Sequence, residues 1–153
     1  GISFTMTAYN QAGALTKQRV THPQTNAAAD TQCFTNDYLQ RLTRAWTPSN
    51  GDCAATPTVA GLGGPAPYWT DWAFDEVSNR TSQTSYASAG NTVTTNTFPA
   101  AGGTRPHAVT SSTTTAPGQS AQTRSFGYDQ AGNTTSRTST AGAVPPASRI
   151  APT

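Results

Sequence analysis

With 153 residues there is room for one domain, but only 34% of the chain is hydrophobic and 10% charged, where globular domains lie nearer roughly one half and one quarter. The formal charge of +2 comes from nine Lys and Arg dispersed along the chain. The clustered cations that a nucleic-acid groove or an anionic membrane surface demands are therefore missing, and no run approaches the roughly 18 apolar residues of a membrane span.

Polar neutral residues fill the gap. Ser and Thr number 42, 29 of them Thr, beside 13 Gly and 11 Pro. Such a chain favours strands and turns over helices, and helical periodicity is nearly absent, so an all-β fold is expected. With few large apolar side chains it buries little surface alone, while ordering each residue costs about 1 to 2 kcal/mol. Much of it is then loop, or it leans on a neighbour. Starting at Gly1 with neither initiator Met nor signal peptide, the chain reads as excised from something larger.

In chain order, the first recurring element is Tyr9-Asn10-Gln11-Ala12-Gly13-Ala14-Leu15. His22, before Pro23, reads as a loop residue. Cys33 precedes the second element, Phe34-Thr35-Asn36-Asp37-Tyr38-Leu39-Gln40-Arg41-Leu42, and the stretch from Asp37 to Ala45 is the best helix candidate but reads equally well as strand, turn, strand. Cys53 lies in a Pro/Gly-rich connector from Thr47 to Pro67. A zinc site would need two further ligands near these cysteines, so two readings stand. One is a disulfide closing the loop, which stabilises by about 3 kcal/mol on chain-entropy grounds; the other is a pair of buried free thiols.

The third element is Trp72-Ala73-Phe74-Asp75-Glu76-Val77-Ser78-Asn79-Arg80. Strands are then expected at Asn91–Thr97 and His107–Thr115, with connectors at Pro99–Pro106 and Ala116–Ser120 and with His107 as a loop residue. The fourth element is Phe126-Gly127-Tyr128-Asp129-Gln130-Ala131-Gly132-Asn133-Thr134. Residues 141–153, with Pro145, Pro146 and Pro152, read as an extended or disordered tail.

Each element makes sense as a hairpin. Aromatics at alternate positions point to one face, and the residue at Asn10, Asp37, Asp75 or Asp129 starts a turn by accepting backbone N–H groups. Gly13 and Gly132, three positions on, can take positive φ, and a strand of Thr, Ser and Arg follows. Such units cannot bury their aromatics singly but can stack into one long sheet.

At these residues the chain resembles the YD-repeat (Rhs) family of secreted bacterial proteins, and its connectors resemble the actinobacterial branch. The family motif is an aromatic, any residue, Tyr-Asp, two residues, Gly, then Asn or Arg. Phe126 to Asn133 fits throughout. Asn36 stands at the motif Tyr, Asn10 replaces an Asp, and Gln40 and Ser78 replace two turn glycines, so those two turns are expected to be longer or of another type. The resemblance implies a YD-repeat segment over 1–140 with motifs at about 7–17, 34–44, 72–82 and 126–137. It further implies β-hairpins forming part of a β-sheet shell or solenoid that encloses or displays a C-terminal toxin or effector. The expected partners are other YD repeats, the effector, or copies of the chain in a homo-oligomer or fibre, at a secreted or cell-surface location. The family's self-cleaving Asp-Pro motif is absent here.

No catalytic residue, cofactor or metal site is assigned. Asp71, Asp75 and Glu76 form the one acidic cluster and fit a glycosidase pair or calcium site in principle, but turn chemistry is the favoured account. Tyr68, Trp69 and Trp72, with Trp46, pose a choice between a glycan-stacking platform of an adhesin or carbohydrate-binding module and plain sheet core, which is favoured. Asn79-Arg80-Thr81 and Asn133-Thr134-Thr135 match the glycosylation acceptor pattern and read as exposed turns.

Overall fold

The computed structural model describes residues 4–21 and 29–141. Ten strands follow in order: β1 (Phe4–Tyr9), β2 (Leu15–Thr21), β3 (Asp30–Asn36), β4 (Leu42–Trp46), β5 (Trp69–Phe74), β6 (Arg80–Ser85), β7 (Thr92–Thr97), β8 (Ser111–Thr115), β9 (Gln122–Tyr128) and β10 (Thr134–Ala141). They make one antiparallel sheet whose spatial order is the chain order. Among the described residues β1 and β10 are its edges, and the sheet is not closed into a barrel. The fold is all-β, as its Thr-rich, Gly-punctuated sequence implies. Among the described residues a 3-10 turn at Val59–Gly61 is the one helical piece, and no helix is long and apolar enough to cross a membrane.

The strand expected at Asn91–Thr97 is β7, whereas the one expected at His107–Thr115 begins only at Ser111. Ahead of it the backbone is still turning: Arg105 is left-handed (φ 57°) and its carbonyl accepts the Ala108 N–H at 3.0 Å. His22 and residues 142–153 of the expected tail lie outside the described residues.

Among the described residues the buried apolar side chains gather in one place. Cys33 on β3 and Ala45 and Trp46 on β4 are at most 4% exposed, with Thr31 and Thr47 buried beside them. The connector between β4 and β5 folds back over these residues. It is pinned by the Cys33–Cys53 disulfide (Cα–Cα 5.5 Å) and by the Lys17 ammonium on the Gly51 carbonyl at 2.7 Å. Backbone bonds from Ser49 N to Gly61 O and from Gly63 N to Thr47 O, each 2.9 Å, zip its two limbs together. A Cβ on Gly63 would lie 2.6 Å from the Ser49 Cα, so the limbs close only on glycine here.

The motif intervals in the sequence are irregular, yet the register is not. Take the Asn or Asp that opens each motif turn as the origin. The residue just before it pairs with the fifth after it in all four hairpins: Tyr9 with Leu15, Asn36 with Leu42, Phe74 with Arg80, Tyr128 with Thr134. A bulge follows, and the second residue before pairs with the seventh after: Ala8 with Lys17, Thr35 with Arg44, Ala73 with Ser82, Gly127 with Ser136.

Between hairpins the rule is equally fixed. The seventh residue after one turn origin pairs with the fourth before the next, as Lys17 with Cys33 and Arg44 with Asp71. The β7–β8 hairpin carries no motif turn, but it keeps the frame: Ser82 pairs with Thr95 on entry and Ser111 with Ser125 on exit. All variation in length is absorbed by loops.

Candidate functional site

Because every motif turn joins an odd strand to the following even one, all four project from the same end of the sheet. In each turn the opening residue's carbonyl accepts the N–H three residues on, from Gly13, Gln40, Ser78 and Gly132, at 2.9 to 3.1 Å. Its Oδ1 accepts further N–H groups: Ala12 and Ala14 on Asn10, Leu39 and Arg41 on Asp37, Val77 and Asn79 on Asp75, and Asn133 on Asp129.

The turns at Gln40 and Ser78 are not longer or different, which corrects the expectation from sequence. Both residues sit in the left-handed region (φ 62° and 69°) like Gly13 and Gly132 (85° and 88°). A side chain there costs roughly 1 to 2 kcal/mol, and here each one is used by the neighbouring turn. Gln40 Oε1 accepts from Asn10 Nδ2 at 3.0 Å, and Ser78 Oγ accepts from Arg41 Nη1 at 3.1 Å. Glycine would offer no such handle.

The fourth residue after the origin completes the pattern. Arg41 Nε, Asn79 Nδ2 and Asn133 Nδ2 donate to the Oδ2 of Asp37, Asp75 and Asp129 at 2.7, 2.9 and 3.0 Å. The first two then reach onward. Arg41 Nη1 donates to the Asp75 carbonyl at 3.0 Å with its guanidinium 4.8 Å above the Phe74 ring. Asn79, 6% exposed, donates to the Pro106 carbonyl and accepts from His107 Nδ1 at 2.7 Å. In the next step Tyr128 OH donates to the Val109 carbonyl at 2.8 Å. Side chains thus link every hairpin to the next along one edge.

Electrostatics follow from the geometry. Desolvation pushes the Asp37 carboxyl up, but the N–H and guanidinium of Arg41 and the Leu39 N–H outweigh it and hold it below the usual range. Asp75 is likewise raised by desolvation and lowered more by Asn79, the Val77 N–H and nearby His107. At Asp129 the Asn133 side chain and N–H lower the carboxyl.

A second polar knot lies on one face of the sheet. Asp71 accepts from Arg44 Nε and Nη2 (2.7 and 2.8 Å), Trp69 Nε1 (2.8 Å) and Tyr86 OH (3.3 Å). Trp69 stacks on Tyr86 with centroids 3.7 Å apart, and Arg44 lies 5.6 Å over Trp69. Desolvation raises the Asp71 carboxyl, and the bonds from Arg44 and Trp69 bring it below the ordinary value. Its oxygens are engaged by the fold, as are those of Asp75 in its turn.

Alternation sends Trp69 and Trp72 to opposite faces of β5. Trp72 Nε1 donates to Gln83 Oε1 at 3.1 Å, and Tyr68 OH donates to Gln32 Oε1 at 3.3 Å. The three aromatics therefore do not share one platform. Asn79, read as an exposed acceptor, is buried with both ends of its amide bonded; Asn133 is exposed. Sequence reasoning missed the Asn79–His107 link and the Arg44–Asp71 pair. Each joins residues on different hairpins, and neither leaves a local signal. Among the described residues, no three His, Cys, Asp or Glu side chains are grouped to hold a metal ion. No protein-family model and no curated protein matches the chain.

Proposed function

We propose that this chain is a structural module: a length of β-sheet wall from a secreted protein of the YD-repeat type, which pairs with further repeats and with them houses or displays an effector. The observation that carries this reading is the constant register of five successive hairpins, kept while the connectors vary from a tight turn to a long disulfide-pinned loop. A repeat that conserves its lateral spacing is built to be continued sideways. The edges agree with it. β1 is exposed along its whole length, with Phe4, Met6 and Tyr9 58 to 69% exposed, and carries no charge, Pro or Lys of the kind that protects a terminal strand.

The disulfide favours an oxidising, extracellular setting. Asp75 is committed to its turn and Asp71 to Arg44, which favours a scaffold over an enzyme that would use them as a carboxylate pair. Light scattering during size exclusion of the oxidised chain, paired with circular dichroism, tests the reading. A sheet-rich chain whose mass grows with concentration is expected; a sheet-rich monomer at every concentration overturns it.

A further inference from the structure

The register rule can be carried outward from the two edge strands. Ten strands is an even number, so β1 and β10 run in opposite directions, and a β10 edge set beside the β1 edge of a second molecule would form an antiparallel pair. That arrangement also keeps the turns of both molecules at the same end of the joint sheet. Where two motif hairpins are neighbours in the sheet, the seventh residue after one turn origin pairs with the fourth before the next, and the β7–β8 hairpin keeps that frame between Ser82 and Ser125. For the junction these are Ser136, seventh after Asp129, and Met6, fourth before Asn10.

We propose that the occupant of the β10 edge is β1 of a second copy of this chain, paired with Ser136 opposite Met6, Thr138 opposite Phe4 and Thr134 opposite Ala8. This rests on the wall reading and names its partner and register. The turn edge is continuous with the same arrangement. Asn133 already donates to Asp129 Oδ2 as Asn79 does to Asp75 Oδ2. It stands at the place that Arg41 holds in the second hairpin, where Arg41 donates to the carbonyl that opens the following turn. In the joint sheet that carbonyl belongs to Asn10 of the next copy. The contact is head-to-tail, each copy offering a different edge, so assembly continues into an open filament. The exposed Phe4 and Met6 of one copy gain neighbours on β10 of the next.

Two variants, each with one cysteine added to the native disulfide pair, test the register, because directly opposed residues on antiparallel strands bring their Cβ atoms within disulfide reach. Met6→Cys and Ser136→Cys are both at exposed positions. Mixed and oxidised, with the cross-link located by mass spectrometry, they are expected to join at least about tenfold more than Thr7→Cys mixed with Ser136→Cys, since a one-residue slip turns the side chain to the other face. Light scattering on the unmodified chain at the same concentration accompanies the test. Association without preference for the Met6–Ser136 pair overturns this inference and leaves the wall reading standing. A sheet-rich monomer with no cross-link overturns both.

Discussion

The sheet is held together in two different ways along its width. From β3 to β5 it has a cover: the long connector lies over Cys33, Ala45 and Trp46, a disulfide pins it, and Asp71 gathers donors from three side chains. From β7 to β9 no side chain is buried, and β10 is exposed from Thr134 to Thr140. There the strands are tied by backbone ladders and by hydroxyl pairs such as Thr94 with Thr114 (3.0 Å) and Thr113 with Thr123 (2.9 Å). The register is the same in both halves. Burial therefore anchors the sheet, while the turns and their links along one edge set its spacing.

The contrast is sharpest at the anchor. Trp46→Ala removes the one large buried side chain of the described residues and is expected to cost about 3 to 5 kcal/mol in a urea titration. A loss below about 1 kcal/mol would mean that the covered half is no anchor.

Acid should loosen both halves together. The carboxyls of Asp37, Asp71, Asp75 and Asp129 are all held below their ordinary values in the fold. Their contribution to stability is complete above the unfolded value of about 4 and is lost as pH falls through the lower folded values. Thermal melts are expected to be flat from neutral pH down to about 5 and to fall steeply below about 4. A melt that rises on acidification would contradict the sign.

Coupling between turns is smaller and separable. Ser78→Gly relieves the left-handed strain but deletes the acceptor of Arg41, so alone it is expected to shift stability little. In an Arg41→Ala background the same change should stabilise, with a coupling of about 1 kcal/mol in the double-mutant cycle. Additive changes would break the claim that the non-glycine turns serve their neighbours. At the bottom of the scale, Thr113→Ala in the uncovered half is expected to cost under about 1 kcal/mol, read from the same titration.

How much of this was legible follows from where each signal resides. Asp75 and Asp129 announce their turns because the side chain bonds its own backbone within four residues, and Thr-rich stretches such as Thr92–Thr97 announce strands. Gln40 and Ser78 mislead, since the gain that offsets their strain comes from the adjacent hairpin. The intervals between motifs conceal the register because insertions fall into loops, among them Thr47–Pro67 and the motif-less β7–β8 loop. Trp69 and Trp72, three apart on a strand, already carry opposite faces in their spacing; that Trp69 and Asp71 close a knot with Tyr86 and Arg44 depends on the neighbouring strands on either side.

Amide hydrogen exchange on the oxidised chain, followed as protein concentration is raised, tests the central claim of an open wall continued by its own kind. The account predicts that amides of β1 and β10 exchange fast in dilute solution and become protected together on concentration, while β4 and β5 stay protected throughout. Edges that remain unprotected at every concentration, or protection that grows at only one of them, would contradict it.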